Sequence, residues 1–176
     1  MFQMIRNKIS KYQMKRFTFL FAILFFLTMQ GFAQPDCFDV FTYQSPEFFT
    51  KSELPSRLQF NMTNEDGSFC TITLYKSLPA KADVMNDITS QWNEQVVKRL
   101  HKADKKPAKI MKGQYLDGWE SSLAIGNYYQ IKKKIVVMLN SFRKDKTTAC
   151  AVFEMSDKIF KGPVELFSEN LHLINE

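Results

Sequence analysis

Apolar and polar residues alternate along the middle of the chain. From Ser68 to Lys76, Cys70, Ile72 and Leu74 interleave with Phe69, Thr71, Thr73 and Tyr75, the period of two that belongs to a strand. The preceding run, Arg57 to Thr63, is separated from it by Asn64-Glu65-Asp66-Gly67, and an Asp-Gly pair between two such runs predicts a hairpin. After Pro79 the period lengthens. Val84, Met85, Ile88, Trp92, Val96 and Leu100 recur at helical spacing, Asp83 stands where an N-cap belongs, and Asp87 lies in the first turns. Residues 83 to 102 are therefore predicted to form an amphipathic helix, with Trp92 on its core stripe.

Strand-like patterning then resumes. Lys109 to Tyr115 and Glu120 to Ile125 flank Leu116-Asp117-Gly118-Trp119, a second Asp-Gly turn, and Gly126-Asn127 reads as another turn. Ile131 to Phe142 contains the apolar stretch Ile135-Val136-Val137-Met138-Leu139. Beyond Arg143-Lys144-Asp145-Lys146 comes Thr147 to Met155, and these two segments are the best candidates for central strands. Gly162-Pro163 opens a last segment in which Val164, Phe167, Leu171 and Ile174 share a helical face. The predicted order is β-β-α-β-β-β-β-α. It is an α+β domain whose antiparallel meander sheet has about six strands, with the helices packed on one or both faces.

The N-terminus has a different texture. Arg6, Lys8, Lys11, Lys15 and Arg16 precede an apolar run from Phe17 to Leu27, which gives way to Thr28-Met29-Gln30-Gly31-Phe32-Ala33. This is the pattern of a secretory signal peptide, with Gly31 and Ala33 small where a signal peptidase needs them, so cleavage is expected between Ala33 and Gln34. A membrane anchor would need about 20 apolar residues, and this run breaks at Thr28. Lipidation would need a cysteine directly after the small residues, whereas Pro35 and Asp36 precede Cys37. The phrase Leu27 to Gln34 resembles the signal-peptide ends of Bacteroidetes envelope proteins, which implies a periplasmic or secreted protein. The organisation expected is a signal peptide over residues 1–33 and a single domain over 34–176, touching a membrane only through the signal peptide before cleavage.

Removing the leader changes the charge. The formal charge of the whole chain is +6, but taking its five basic residues from the 24 present leaves 19 against 18 acids. A nearly neutral domain lacks the basic face that a nucleic acid requires. The chain contains Cys37, Cys70 and Cys150, so at most one intrachain bridge can form. Cys70 with Cys150 is the preferred pair because both lie in predicted strands, and such a loop would contribute about 4 to 5 kcal/mol on the chain-entropy model. Three buried reduced thiols are the alternative.

The element order, the helix bearing Trp92 and the Asp117-Gly118-Trp119 hairpin together resemble the PsbP-like fold, over residues 56 to 174. That fold occurs in photosystem II extrinsic proteins and small bacterial envelope lipoproteins. The resemblance implies a fold, and many members of that family are non-catalytic accessory or interaction proteins.

Candidate chemistry is sparse. Lys98, Arg99, Lys102, Lys105, Lys106, Lys109 and Lys112 cluster where the long helix ends, with Asp104 the only acid among them. They could hold an acidic polymer or a lipid headgroup, or simply complement the negative helix end in a solvated loop. Trp119, Tyr128 and Tyr129 adjoin turns and could form a platform for a sugar ring or peptide, or pack across strands. His101 and His172 fit no metal spacing and are expected at the surface. No G-x-S-x-G, metal motif or glycine-rich phosphate loop occurs, so no catalytic residue, metal or cofactor is assigned. An acid/base carboxylate pair needs only to meet in space, and the 18 acids offer many pairs without marking one. The expected function is an exported, non-catalytic binding or accessory module for a protein or other envelope component. The alternatives are acidic-polymer or headgroup binding through residues 98–112, and a hydrolase with dispersed carboxylates.

Overall fold

The computed structural model describes residues 35–131 and 133–174, so the segment expected to be a signal peptide and its expected cleavage point lie outside the described residues. The predicted hairpin forms from β4 (Arg57–Thr63) and β5 (Phe69–Pro79), with Met62 opposite Cys70 and Leu58 opposite Leu74. Gly67 takes a φ of 75° in the turn, and the Asp66 carboxylate accepts from the Ser68 amide (2.8 Å) and hydroxyl (2.6 Å). These bonds fix the register by giving the turn's polar groups local partners.

β6 (Lys109–Leu116), β7 (Trp119–Gln130), β8 (Lys133–Lys144) and β9 (Thr147–Met155) follow as a meander. With β3 (Thr50–Leu54) they complete a seven-stranded antiparallel sheet in the order β3-β4-β5-β9-β8-β7-β6. β9 is central and is buried without interruption from Thr148 to Phe153, because both faces of the sheet are covered. At one edge β3 is exposed at every position, and at the other the pairing of β6 with β7 slips between Lys112 and Tyr115.

Six strands is too few. Besides β3, a small second sheet is made by β1 (Asp36–Phe38), β2 (Phe41–Tyr43) and β10 (His172–Leu173), in the order β1-β2-β10. Strands of two or three residues are too short to display a period, and β3, with Lys51 and Glu53, carries no apolar face to reveal it. Gly126-Asn127 is not a turn either, for it lies within β7. A Cβ on Gly126 would stand 2.7 Å from the Trp92 ring, so the glycine makes room for the tryptophan.

The long helix divides. α1 (Val84–Trp92) starts as predicted, with the Asp83 carboxylate accepting from the Asn86 amide at 2.8 Å. It then widens into a π-helical segment at Asn93–Val97, and Lys102 turns the chain away with a φ of 54°. Met85 is 39% exposed, outside the stripe assigned to it, while Trp92 is buried as its spacing predicts. The last helix, α2 (Lys161–Glu169), includes Gly162 and Pro163 and ends before Leu171 and Ile174. It follows a 3₁₀ turn at Lys158–Phe160, whose first amides Asp157 caps.

The helices cover opposite faces of the sheet. On the α1 face, Ile88, Trp92 and Val96 pack on Ala124, Tyr128, Ile135, Val137, Leu139 and Val152. On the α2 face, Val164 and Phe167, with Phe41, Tyr43 and Leu173 of the small sheet, pack on Phe60, Ile72 and Phe153.

The expected disulfide is not formed. Cys70 stands opposite Met155 and Cys150 opposite Tyr75, so the two lie five positions apart on one ladder, on opposite faces. That offset is about 16 Å along the strands, against the 4.4–6.8 Å between Cα atoms that a bridge needs. Cys37 is an exposed thiol, and burial pushes the Cys70 and Cys150 thiols up to about 12.

Candidate functional site

α2 is nine residues long, about 14 Å, whereas a seven-stranded sheet is about 29 Å across. One such helix cannot cover one such face. Phe167 anchors α2 over the β4, β5 and β9 side, with ring centroids 5.6 Å from Phe60, 6.2 Å from Tyr43 and 6.3 Å from Phe153. The small sheet covers the far flank, where Phe41 meets Phe142 edge-on at 5.9 Å.

The β7–β8 part of this face stays open. Leu123 and Ile125 of β7, Val136 and Met138 of β8 and Met155 of β9 line a groove of about 660 Å³ alongside α2. All five are half-buried or, for Val136, 37% exposed. The rim is charged, with Lys161 and Glu165 of α2 forming a 3.5 Å ion pair. The chemistry available is shelter. Apolar surface brought here leaves water at about 25 cal/mol per Å², and the two flexible thioethers let the lining follow the shape of its occupant. On the other side of α2, a recess of about 410 Å³ runs beneath the loop of Phe48, which is 85% exposed with a φ of 66°.

The basic segment is divided by the structure. Lys98 is bound to Glu94 at 2.6 Å, and the Arg99 guanidinium lies 5.1 Å from the Tyr75 ring centroid. Lys102, Lys105 and Lys106 are exposed in the loop before β6, and Lys109 and Lys112 are exposed on β6. Asp104 belongs to the architecture: its carboxylate accepts from the Asn127 amide at 3.0 Å, and its carbonyl accepts from the Trp92 indole N–H at 3.0 Å.

The aromatic platform does not assemble. Trp119 is buried on the α2 face and donates to the Ile174 carbonyl at 3.2 Å. Tyr128 is buried on the α1 face, and Tyr129, its neighbour on the strand, projects from the other side. Cross-strand packing accounts for Trp119 and Tyr128. His101 is exposed, and His172 lies 3.5 Å from Asp117.

Sequence reasoning missed two polar features. The Tyr128 hydroxyl donates to Glu154 at 2.8 Å, and burial raises that carboxyl above its ordinary range although the hydrogen bond opposes it. The available signal was that Glu154 continues the Cys150, Val152 series on one side of β9. Asp87, fully buried, accepts from Arg143 and from the Lys81 amide, tying the start of α1 to β8. Among the described residues, no three His, Cys, Asp or Glu side chains gather as metal ligands would.

No protein-family model and no curated protein matches this chain. Among solved structures it is similar to LpqN, involved in cell envelope biogenesis of Mycobacterium tuberculosis. The TM-score is 0.51 at 10% identity, over 77% of this chain and 83% of that one. A Pseudomonas aeruginosa protein of unknown function aligns over 72% of this chain and 81% of its own, with a TM-score of 0.40 and 11% identity. A Bacteroides thetaiotaomicron protein aligns over 77% and 46%, with a TM-score of 0.46 and 11% identity. At such identity the likeness to LpqN is one of fold.

Proposed function

We propose that this chain is an exported, non-catalytic module that receives an apolar segment of an envelope partner in the groove beside α2. The observation that carries the reading is the groove itself, five apolar side chains left open on the sheet under a charged helix rim. Contiguous exposed apolar surface of this kind marks an interaction site more often than an accident of folding. The basic and apolar pattern of residues 1–33 supports export. The involvement of LpqN in cell envelope biogenesis is compatible with an envelope compartment for this chain. The PsbP-like order belongs to the same reading, since β4 through α2 run β-β-α-β-β-β-β-α.

A fluorescent apolar probe tests the groove. It should bind the wild type and lose its signal in Met138→Lys and Ile125→Glu, while Leu78→Ala, at an exposed position of β5, leaves it unchanged. A probe signal that survives both groove variants removes the assignment. Intact mass after expression in a Gram-negative host should begin at Gln34, and a retained leader would remove export. Turnover in a broad hydrolase screen would overturn the non-catalytic part.

A further inference from the structure

The described residues include three arginines, Arg57, Arg99 and Arg143, and they are treated differently. Arg143 has its carboxylate, Asp87. Neither Arg57 nor Arg99 has an acidic partner within ion-pair distance among the described residues. Yet the two converge. Arg57 of β4 sits directly opposite Tyr75 of β5, and Arg99, at the exit of the π-helical segment, lies over the ring of the same tyrosine. Both guanidiniums act on the Tyr75 phenol, lowering its pKa against the burial that pushes it up to about 12, so it keeps its proton and remains a donor.

Arg57 Nε is buried without a hydrogen-bond partner. Such an N–H carries a desolvation cost until an acceptor arrives. The acid on this side of the sheet that acts on Tyr75 is Glu154. It lies opposite Thr71, four positions along the ladder from the Tyr75–Cys150 pair, and takes the Tyr128 hydroxyl instead. Two cations sharing one phenol with no neutralising carboxylate repel each other, and a bound anion would turn that repulsion into attraction.

We propose that Arg57, Tyr75 and Arg99 form a binding site for a phosphate group. The donors come from three elements, β4, β5 and the helix exit. A phosphate, with more acceptor oxygens and more charge than a carboxylate, can accept from two guanidiniums and a phenol together. Arg99 is exposed and forms the open side of the site, with Arg57 half-buried and Tyr75 buried behind it. It lies on the α1 face and is independent of the groove. It also narrows the basic segment: Arg99 is recruited, and the loop lysines are not.

Calorimetric titration of the purified protein with inorganic phosphate tests this. Arg99→Gln and Arg57→Gln should each weaken binding about tenfold or more, the loss of a charge-assisted bond. Arg57→Lys, which keeps the charge but loses the fork, should fall between them and the wild type. Lys105→Gln and Lys106→Gln should stay within about twofold, as exposed charges do. Because Arg99 is exposed, its variant remains informative even if an Arg57 substitution impairs folding. Flotation with phosphatidylglycerol vesicles separates the sources. Arg99-dependent flotation identifies a lipid headgroup, and phosphate binding without flotation identifies a soluble phosphate ester. Equal losses in the lysine variants, or no phosphate binding in the millimolar range, would overturn the proposal.

Discussion

The two faces of the sheet are covered by helices of equal length and finish differently. α1 and α2 are nine residues each. α1 is prolonged by its π-helical segment and by a loop that Asp104 fastens to β7, so its tryptophan seats into the notch at Gly126 and the β7–β8 surface is sealed. α2 ends at Asn170, and the chain crosses at once to β10, leaving the other side of the same two strands open. Closure is therefore decided less by the helix than by what the chain does after it.

Breaking the sealed face should cost most. Trp92→Ala removes the largest fully buried side chain together with its bond to the Asp104 carbonyl, and should destabilise by about 3 to 5 kcal/mol in urea unfolding. Phe167→Ala on the half-open face should cost nearer about 3 kcal/mol, because the adjoining groove lets neighbours relax. A loss equal to that of Trp92→Ala would mean the groove is as rigid as the core.

Acidity separates the faces next. Burial raises the Glu154 carboxyl, so the folded state holds its proton more tightly than the unfolded state, whose value is near 4.5. Its cost is absent below that pH and grows as pH rises towards the folded value, at a limit of about 1.4 kcal/mol per unit. Glu154→Gln should flatten the fall in wild-type stability above pH 4.5. Parallel pH profiles for the two proteins would show that the carboxyl is ionised without penalty.

The smallest effects belong to the exterior. Met138→Lys, at a half-buried groove position packed against the core, should cost about 1 kcal/mol while abolishing probe binding. Thiol titration should find Cys37 reactive in the folded protein, and Cys70 and Cys150 only after denaturation. Rapid labelling of all three would contradict the burial described.

The legible parts of the fold were those with a long period or a local turn. The β4–β5 hairpin, the cap at Asp83 and central β9 follow from alternation, Asp66-Gly67 and helical spacing within a few residues. What escaped depends on partners far along the chain. Gly126 reads as a turn until Trp92 is known to press against it, and the cysteines look matched until the β5–β9 register sets them on opposite faces. The candidate sites were less legible than the fold. Arg57 and Arg99 are separated by a hairpin and a helix, and the groove exists because α2 stops early, a vacancy that no residue encodes by itself.

The frayed margins of the large sheet carry a consequence for assembly. β3 presents Lys51 and Glu53 along a fully exposed strand, and β6 loses its regular pairing between Lys112 and Tyr115. Charges and irregularity at an edge disfavour the annexation of a foreign strand. A partner arriving at this molecule is thereby denied a backbone handshake and must be recognised through side chains, which makes its selectivity tunable one substitution at a time.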